Sequence, residues 1–183
     1  MGVIETERLV LRGWSADDVE PFIRHTNTPA VMRWLGGVGD EAVVREIITE
    51  RFPRWQEERG FTFWAVERKE DGALLGFCGL KLASDEGTRI KGWHEIGWRL
   101  REDAWGKGYA REAASASLDF AFDRVGADRV VALTVIGNEG SWRLMERLGM
   151  TRRPDLDYEG PAWAQTPVIV YVIEREEWQT RTS

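Results

Sequence analysis

The 183-residue sequence is poor in the groups that build metal centres and cross-links: it has one cysteine, Cys78, and two histidines, His25 and His94. One cysteine excludes an internal disulfide, and its apolar setting, Leu75-Gly76-Phe77-Cys78-Gly79-Leu80, marks it as a small core residue in a reducing compartment. His, Cys and carboxylates are nowhere grouped at ligand spacing, so no metal is expected. No run of about 18 apolar residues occurs, which excludes a membrane-spanning helix and makes a membrane partner unexpected. The first residues lack the basic-then-apolar pattern of a secretory leader, and a cytoplasmic location is expected. Basic residues are outnumbered, 25 against 31 acidic for a net charge of -6, so the broad positive surface of a nucleic-acid binder is missing and no such partner is expected. Repeats, low-complexity tracts and composition breaks are absent too, and residues 1–183 read as a single domain. A chain of this length buries roughly 70% of its unfolded surface and needs no staple.

What is present is an uneven charge distribution and ten tryptophans. Between Arg89 and Arg111 lie six bases (Arg89, Lys91, Arg99, Arg101, Lys107, Arg111) and only three acids (Glu95, Glu102, Asp103), a local excess that suits a small polyanionic ligand. Element signals are legible on both sides of this stretch. Arg8–Arg12 has strand composition, and Ser15 with Asp17 and Asp18 opens a short helix. Asp40 caps a longer helix carrying Val43, Val44, Ile47, Ile48 and Phe52 at helical spacing, with Pro53 at a kink or a last turn. Phe61–Glu67 and Ala73–Leu82 read as strands joined across Asp71-Gly72, and Gly92–Arg101 as a third. A helix over Tyr109–Val125 follows, capped by Gly126, then a strand over Arg129–Ile136, a helix over Ser141–Leu148 ended by Gly149, and a strand over Pro167–Ile173. The order predicts a mixed α/β sheet, antiparallel at first, with a late crossover helix.

Trp105-Gly106-Lys107-Gly108-Tyr109-Ala110-Arg111 joins the end of a strand to an amphipathic helix. Two glycines let the backbone approach a ligand with several amides aimed one way, and the helix adds the positive end of its dipole. Lys107 and Arg111 add full charges, so the stretch describes a phosphate cradle. It is not the dinucleotide fingerprint, because Arg111 stands where the third glycine belongs, and no P-loop pattern occurs.

Taken together, Ile96-Gly97-Trp98-Arg99-Leu100, Trp105 to Ala113, Asn138-Glu139-Gly140-Ser141 and Leu148-Gly149-Met150 resemble the Gcn5-related N-acetyltransferase (GNAT) superfamily. The opening Glu5 to Arg12 and closing Tyr171 to Trp178 are similar to its RimJ/RimL branch, so the resemblance spans the chain. It implies a central mixed sheet of six or seven strands flanked by about four helices, with splayed central strands at Gly92–Arg101 and Arg129–Ile136 and a bulge near Gly97. It implies acetyl-CoA as acyl donor. The amides of Gly106, Lys107, Gly108, Tyr109, Ala110 and Arg111 would take the pyrophosphate, although Trp105 replaces the family's usual Gln or Arg. The backbone of Trp98, Arg99 and Leu100, with Asn138, would hold the pantetheine arm. Charge logic adds Arg101 and Lys107 for the 3′-phosphate.

The reaction so implied is direct attack of a primary amine, on a protein N-terminus or a small molecule, on the thioester. A base must first take a proton from the ammonium. Glu95 on the central strand leads for that role, with His94 on the opposite face of the strand. The helix position where the family often places a tyrosine acid is Met145, so Ser141 is expected to donate to the departing thiolate, with Tyr158 a weaker candidate and helix capping the competing role of Ser141. Trp34, Trp55, Trp142 and Trp163, and the loop acids Asp155, Asp157 and Glu159, are candidate walls for the amine, while His25 is expected to face solvent. Relatives are often dimers, so a homodimer is compatible. Two alternatives stand beside this reading: an acyl-CoA-binding module without catalysis, and a transferase using another donor such as succinyl-CoA.

Overall fold

Eight strands build one sheet in the computed structural model, which describes residues 2–161, 164 and 166–182. They are β1 (Gly2–Glu5), β2 (Leu9–Arg12), β3 (Phe63–Arg68), β4 (Leu74–Leu82), β5 (His94–Leu100), β6 (Arg129–Val135), β7 (Thr151–Arg152) and β8 (Val168–Glu174). Their order is β1-β2-β3-β4-β5-β6-β8-β7, antiparallel at every step but β5–β6. The helices are α1 (Val19–Thr26), α2 (Pro29–Met32), α3 (Glu41–Glu46), α4 (Phe52–Arg59), α5 (Tyr109–Phe120), α6 (Glu139–Leu148) and α7 (Arg175–Thr182).

Each face of the sheet has its own core. On one, α5 presents Ala113, Ala114, Ser117 and Leu118 to Leu80, Ile96 and Leu100, and small residues let the helix lie close to the strands. Cys78 belongs to this core, with its sulfur 3.6 Å from the Ser117 hydroxyl, and burial pushes its thiol up to about 12. On the other face α1, α3 and α4 cover Phe63, Ala65 and Phe77. The half of that face beyond β5 carries a separate cluster of Val131, Val170, Val172 and Leu156. Between these two clusters the face is left partly uncovered, and there the site forms.

The expected mixed sheet and its splayed centre are present. β5 and β6 pair only at His94↔Val130 and Glu95↔Val131, then diverge. The bulge expected near Gly97 is not there: β5 keeps an unbroken register with β4 from Leu82↔His94 to Gly76↔Leu100. Glycine is required at 97 for another reason, because a Cβ would lie 2.9 Å from the ring of Phe63. Asp40 accepts from the Ala42 and Val43 amides as a cap should, but Pro53 sits at the start of α4, after a wider π turn over Ile47–Arg51, so the chain remains helical through it. A similar turn, Ala121–Val125, extends α5 to the left-handed Gly126. α6 starts at Glu139 rather than Ser141, which makes Asn138 the capping position. Two short edge strands, β1 and β7, and the terminal helix α7 were not signalled by the sequence pattern.

Candidate active site

Where β5 and β6 part, a cleft of about 1390 Å³ passes through the sheet. Its lining comes from both faces: Tyr109, Leu144 and Met145 from the α5–α6 side, Phe63 and Phe77 from the α1 side, and Ile96 to Leu100 along the edge of β5. From Ile96 onward, the β5 backbone groups that point away from β4 have no strand partner, an edge on which an extended amide-bearing molecule can pair.

At one end of this edge the chain turns into α5. Gly106 and Gly108 have φ of 71° and 83°, the left-handed region that suits glycine. Among the described residues, none of the six amides from Gly106 to Arg111 donates a hydrogen bond within the chain, whereas the flanking Trp105 and Glu112 amides do. Six free donors at a helix start can hydrogen-bond an anion. Arg8 holds this turn in place: its guanidinium donates to the Lys107 carbonyl at 3.0 Å, lies over the Tyr109 ring and pairs with Glu112 at 2.7 Å. Arg8 was not among the sequence candidates, since its contacts lie about a hundred residues away along the chain.

At the other end lies Glu95. Strand alternation puts it with Gly97 and Arg99 on the α1 side, facing Lys81 across the β4–β5 ladder. It is buried, and the Lys81 ammonium lies 3.2 Å from Oε2 in an ion pair that misses hydrogen-bonding geometry, so that oxygen accepts no hydrogen bond. Burial pushes the carboxyl up from its ordinary value, and Lys81 only partly offsets this, while nearby Asp85 adds to it. Tyr158 donates to Asp85 and keeps its proton tightly, its pKa raised by burial first and by that carboxylate next. His94 points to the other face against Phe61 and does not line the cleft.

Of the remaining candidates, Asn138 and Ser141 line the cleft, and no side-chain hydrogen bond occupies either among the described residues. Ser141 lies inside α6, so it is not the helix cap. Met145, buried, lines the wall where a tyrosine acid would stand. Arg101 forms an ion pair with Asp103, and neither Arg101 nor Lys107 lines the cleft, whereas Arg111 and Arg147 do so with no acidic partner among the described residues. Two of the loop acids are engaged, Asp155 with Arg153 and Asp157 with Arg152, and none of Asp155, Asp157 and Glu159 lines the cleft. Trp34 lies over Gly137 and lines the cleft, Trp55 packs with Phe52 and Phe63 in the α1-side core, the Trp142 indole donates to Ile136, and Trp163 lies outside the described residues. His25 is half-buried rather than solvent-facing.

Residues 8–151 match the family described as acetyltransferase (GNAT) domain. The chain is 35% identical over 146 residues to YkkB of Bacillus subtilis, covering 79% of this chain and 83% of that one. Among solved structures, a GNAT-family acetyltransferase from Bacillus anthracis aligns with a TM-score of 0.76 at 27% identity, over 95% of this chain and 99% of that one. The aminoglycoside acetyltransferase AAC(6')-Ib, solved with coenzyme A, shares the fold with a TM-score of 0.76 at 18% identity, over 96% and 99%. The chain belongs to the GNAT family of acetyltransferases.

Proposed function

We propose that the enzyme moves an acetyl group from acetyl-CoA to a primary amine, on a protein N-terminus or a small molecule. The observation that carries this reading is the row of six unpaired amides from Gly106 to Arg111 at one end of an open strand edge, with a buried carboxylate at the other. Those amides suit the pyrophosphate, and Arg111 and Arg147 are better placed than Arg101 or Lys107 for further phosphate charge. The open strand edge at Trp98–Leu100, where the Leu100 carbonyl already accepts from the Trp105 indole, and the Asn138 amide suit the pantetheine arm, which puts the thioester near Glu95 and Ser141. Coenzyme A in the aminoglycoside acetyltransferase of the same fold supports the donor class.

Glu95, raised by burial, takes a proton from the acceptor ammonium. The neutral amine bonds to the acyl carbon, the carbon–sulfur bond breaks, the second amine proton passes to the departing sulfur so that CoA leaves as its thiol, and Ser141 donates a hydrogen bond to that sulfur as its charge develops. Lys81, 3.2 Å from Oε2, favours the carboxylate form of Glu95 against the burial that disfavours it. Within this reading, the resemblance of the opening Glu5 to Arg12 and closing Tyr171 to Trp178 supports a RimJ/RimL-like assignment. Met145, in place of an acid, favours the alternative of a CoA-binding module without catalysis.

Free-CoA release from acetyl-CoA, assayed over a panel of amines with the unaltered enzyme and Glu95→Gln, separates the two. Loss of about a hundredfold or more in kcat, with acetyl-CoA affinity retained, is the expected result. Binding without turnover of any amine supports the module.

A further inference from the structure

Arg99 is the charged group that the reading above leaves unused. Its side chain lies on the same face of β5 as Glu95 and among the residues lining the cleft. The guanidinium lies 5.4 Å from the ring centre of Phe22 and 5.3 Å from that of Phe77. Among the described residues it has no ion pair, and its fully shielded Nε has no hydrogen-bond partner. Burial lowers its pKa to about 10, which leaves it cationic at neutral pH. Arg99 is half-buried as a residue, but a charge with a shielded, unpartnered Nε is costly, and proteins ordinarily pair one. Aromatic contacts stabilise a guanidinium but leave its N–H fork open, and that fork matches a carboxylate in two parallel hydrogen bonds.

Between Glu95 and Arg99 the cleft is walled by Phe63, whose ring covers Gly97, and by Phe77 stacked on it at 4.8 Å. Four residues of strand separate the two charged side chains, roughly 13 Å between their Cα atoms. The surface therefore runs from a proton acceptor over an aromatic stretch to a cation. We propose that Arg99 is a specificity residue that binds a carboxylate carried by the acceptor, and that the preferred acceptor is an amine separated from that carboxylate by an apolar spacer of several bonds. This rests on the acetyltransferase reading and adds the substrate class to it. A dicarboxylic acyl donor could also bring a carboxylate, but Arg99 lies back along β5 toward the phosphate turn, and an acyl chain extended past the thioester points away from it.

Matched pairs of acceptors test the proposal: 6-aminohexanoate against hexylamine, and lysine against cadaverine, each with acetyl-CoA and with succinyl-CoA. Rates are read as CoA release, and binding as thermal shift of the CoA-saturated enzyme. The unaltered enzyme is expected to prefer the carboxylate member of each pair about tenfold or more in kcat/KM, or to be stabilised by it alone. In Arg99→Gln that ratio falls to near one, and Arg99→Lys recovers part of it, which guards against a simple folding defect. Three results overturn the proposal: no carboxylate preference in either rate or stabilisation, a ratio that survives Arg99→Gln, or an Arg99 effect that follows succinyl-CoA rather than the acceptor. Failure of the underlying reading is distinguishable, because no amine of either kind would then release CoA, with or without a thermal shift from acetyl-CoA.

Discussion

Carboxylates in water lose their protons near pH 4, too low to accept one efficiently from an ammonium. Glu95 meets that mismatch through burial, which disfavours its charged form, with Lys81 holding the shift in check. Activity is therefore expected to rise along an acid limb lying above the ordinary carboxylate range, and Glu95→Gln should abolish that limb in a kcat/KM profile. The stability consequence has the opposite sign. A folded-state pKa raised above the unfolded one means that the native state holds the proton more tightly, so stability falls as pH rises through that window. Urea titrations across it should show the fall for the unaltered enzyme and a flatter curve for Glu95→Gln. Glu95 was legible because one acid interrupts an apolar strand. Arg99 was legible only as a strand residue with a useful backbone, since its setting depends on the rings that α1 and β4 bring near it.

Elements place these groups, and the contacts that matter most join parts of the chain far apart in sequence. The β1–β2 hairpin reaches the turn into α5 through Arg8, whose side chain is 41% exposed, so its loss should spare the core. Arg8→Gln is expected to raise KM for acetyl-CoA about tenfold with kcat at saturation retained, in steady-state assays; an unchanged KM would remove Arg8 from the positioning of the turn. Gly97 has the opposite logic. An added methyl meets the Phe63 ring, itself held against Phe77, so Gly97→Ala should cost about 1–3 kcal/mol by chemical denaturation. The bulge was expected at Gly97 because glycine inside a strand signals irregular backbone, but the register is unbroken and close approach of the Phe63 ring accounts for the glycine instead. Helices α5 and α6 were readable from apolar spacing and their closing glycines. α7 was not, for its buried residue among those described is Trp178 within an otherwise polar run, and β7, two residues long, carries no pattern at all.

At the scale of the whole molecule, the fold makes a gap in a sheet by pairing two parallel strands at one end only, then covers the two halves of one face with separate apolar clusters. Ion pairs elsewhere hold the frame. Asp18 is one such point: burial acts to raise its pKa, but hydrogen bonds from Arg12 and Ser15 outweigh this and leave it lowered. That stabilisation is fully present above the unfolded carboxylate pKa and is lost as pH falls through the folded one. Asp18→Asn should cost about 3 kcal/mol at neutral pH and little in strong acid, read from urea midpoints. The sheet and its crossover were visible in the order of strands and helices, whereas the cleft, which needs both faces at once, was visible only through family resemblance.

Donor binding by the free amides at the entrance to α5 is central, and calorimetric titration of the unaltered enzyme with acetyl-CoA and with acetylpantetheine, which lacks the diphosphate, tests it most directly. Acetyl-CoA is predicted to bind at least about a hundredfold more tightly, and at 100 times its Kd to stabilise the fold by about 2.7 kcal/mol. Equal affinity for the two compounds, or no binding of acetyl-CoA at millimolar concentration, would contradict it.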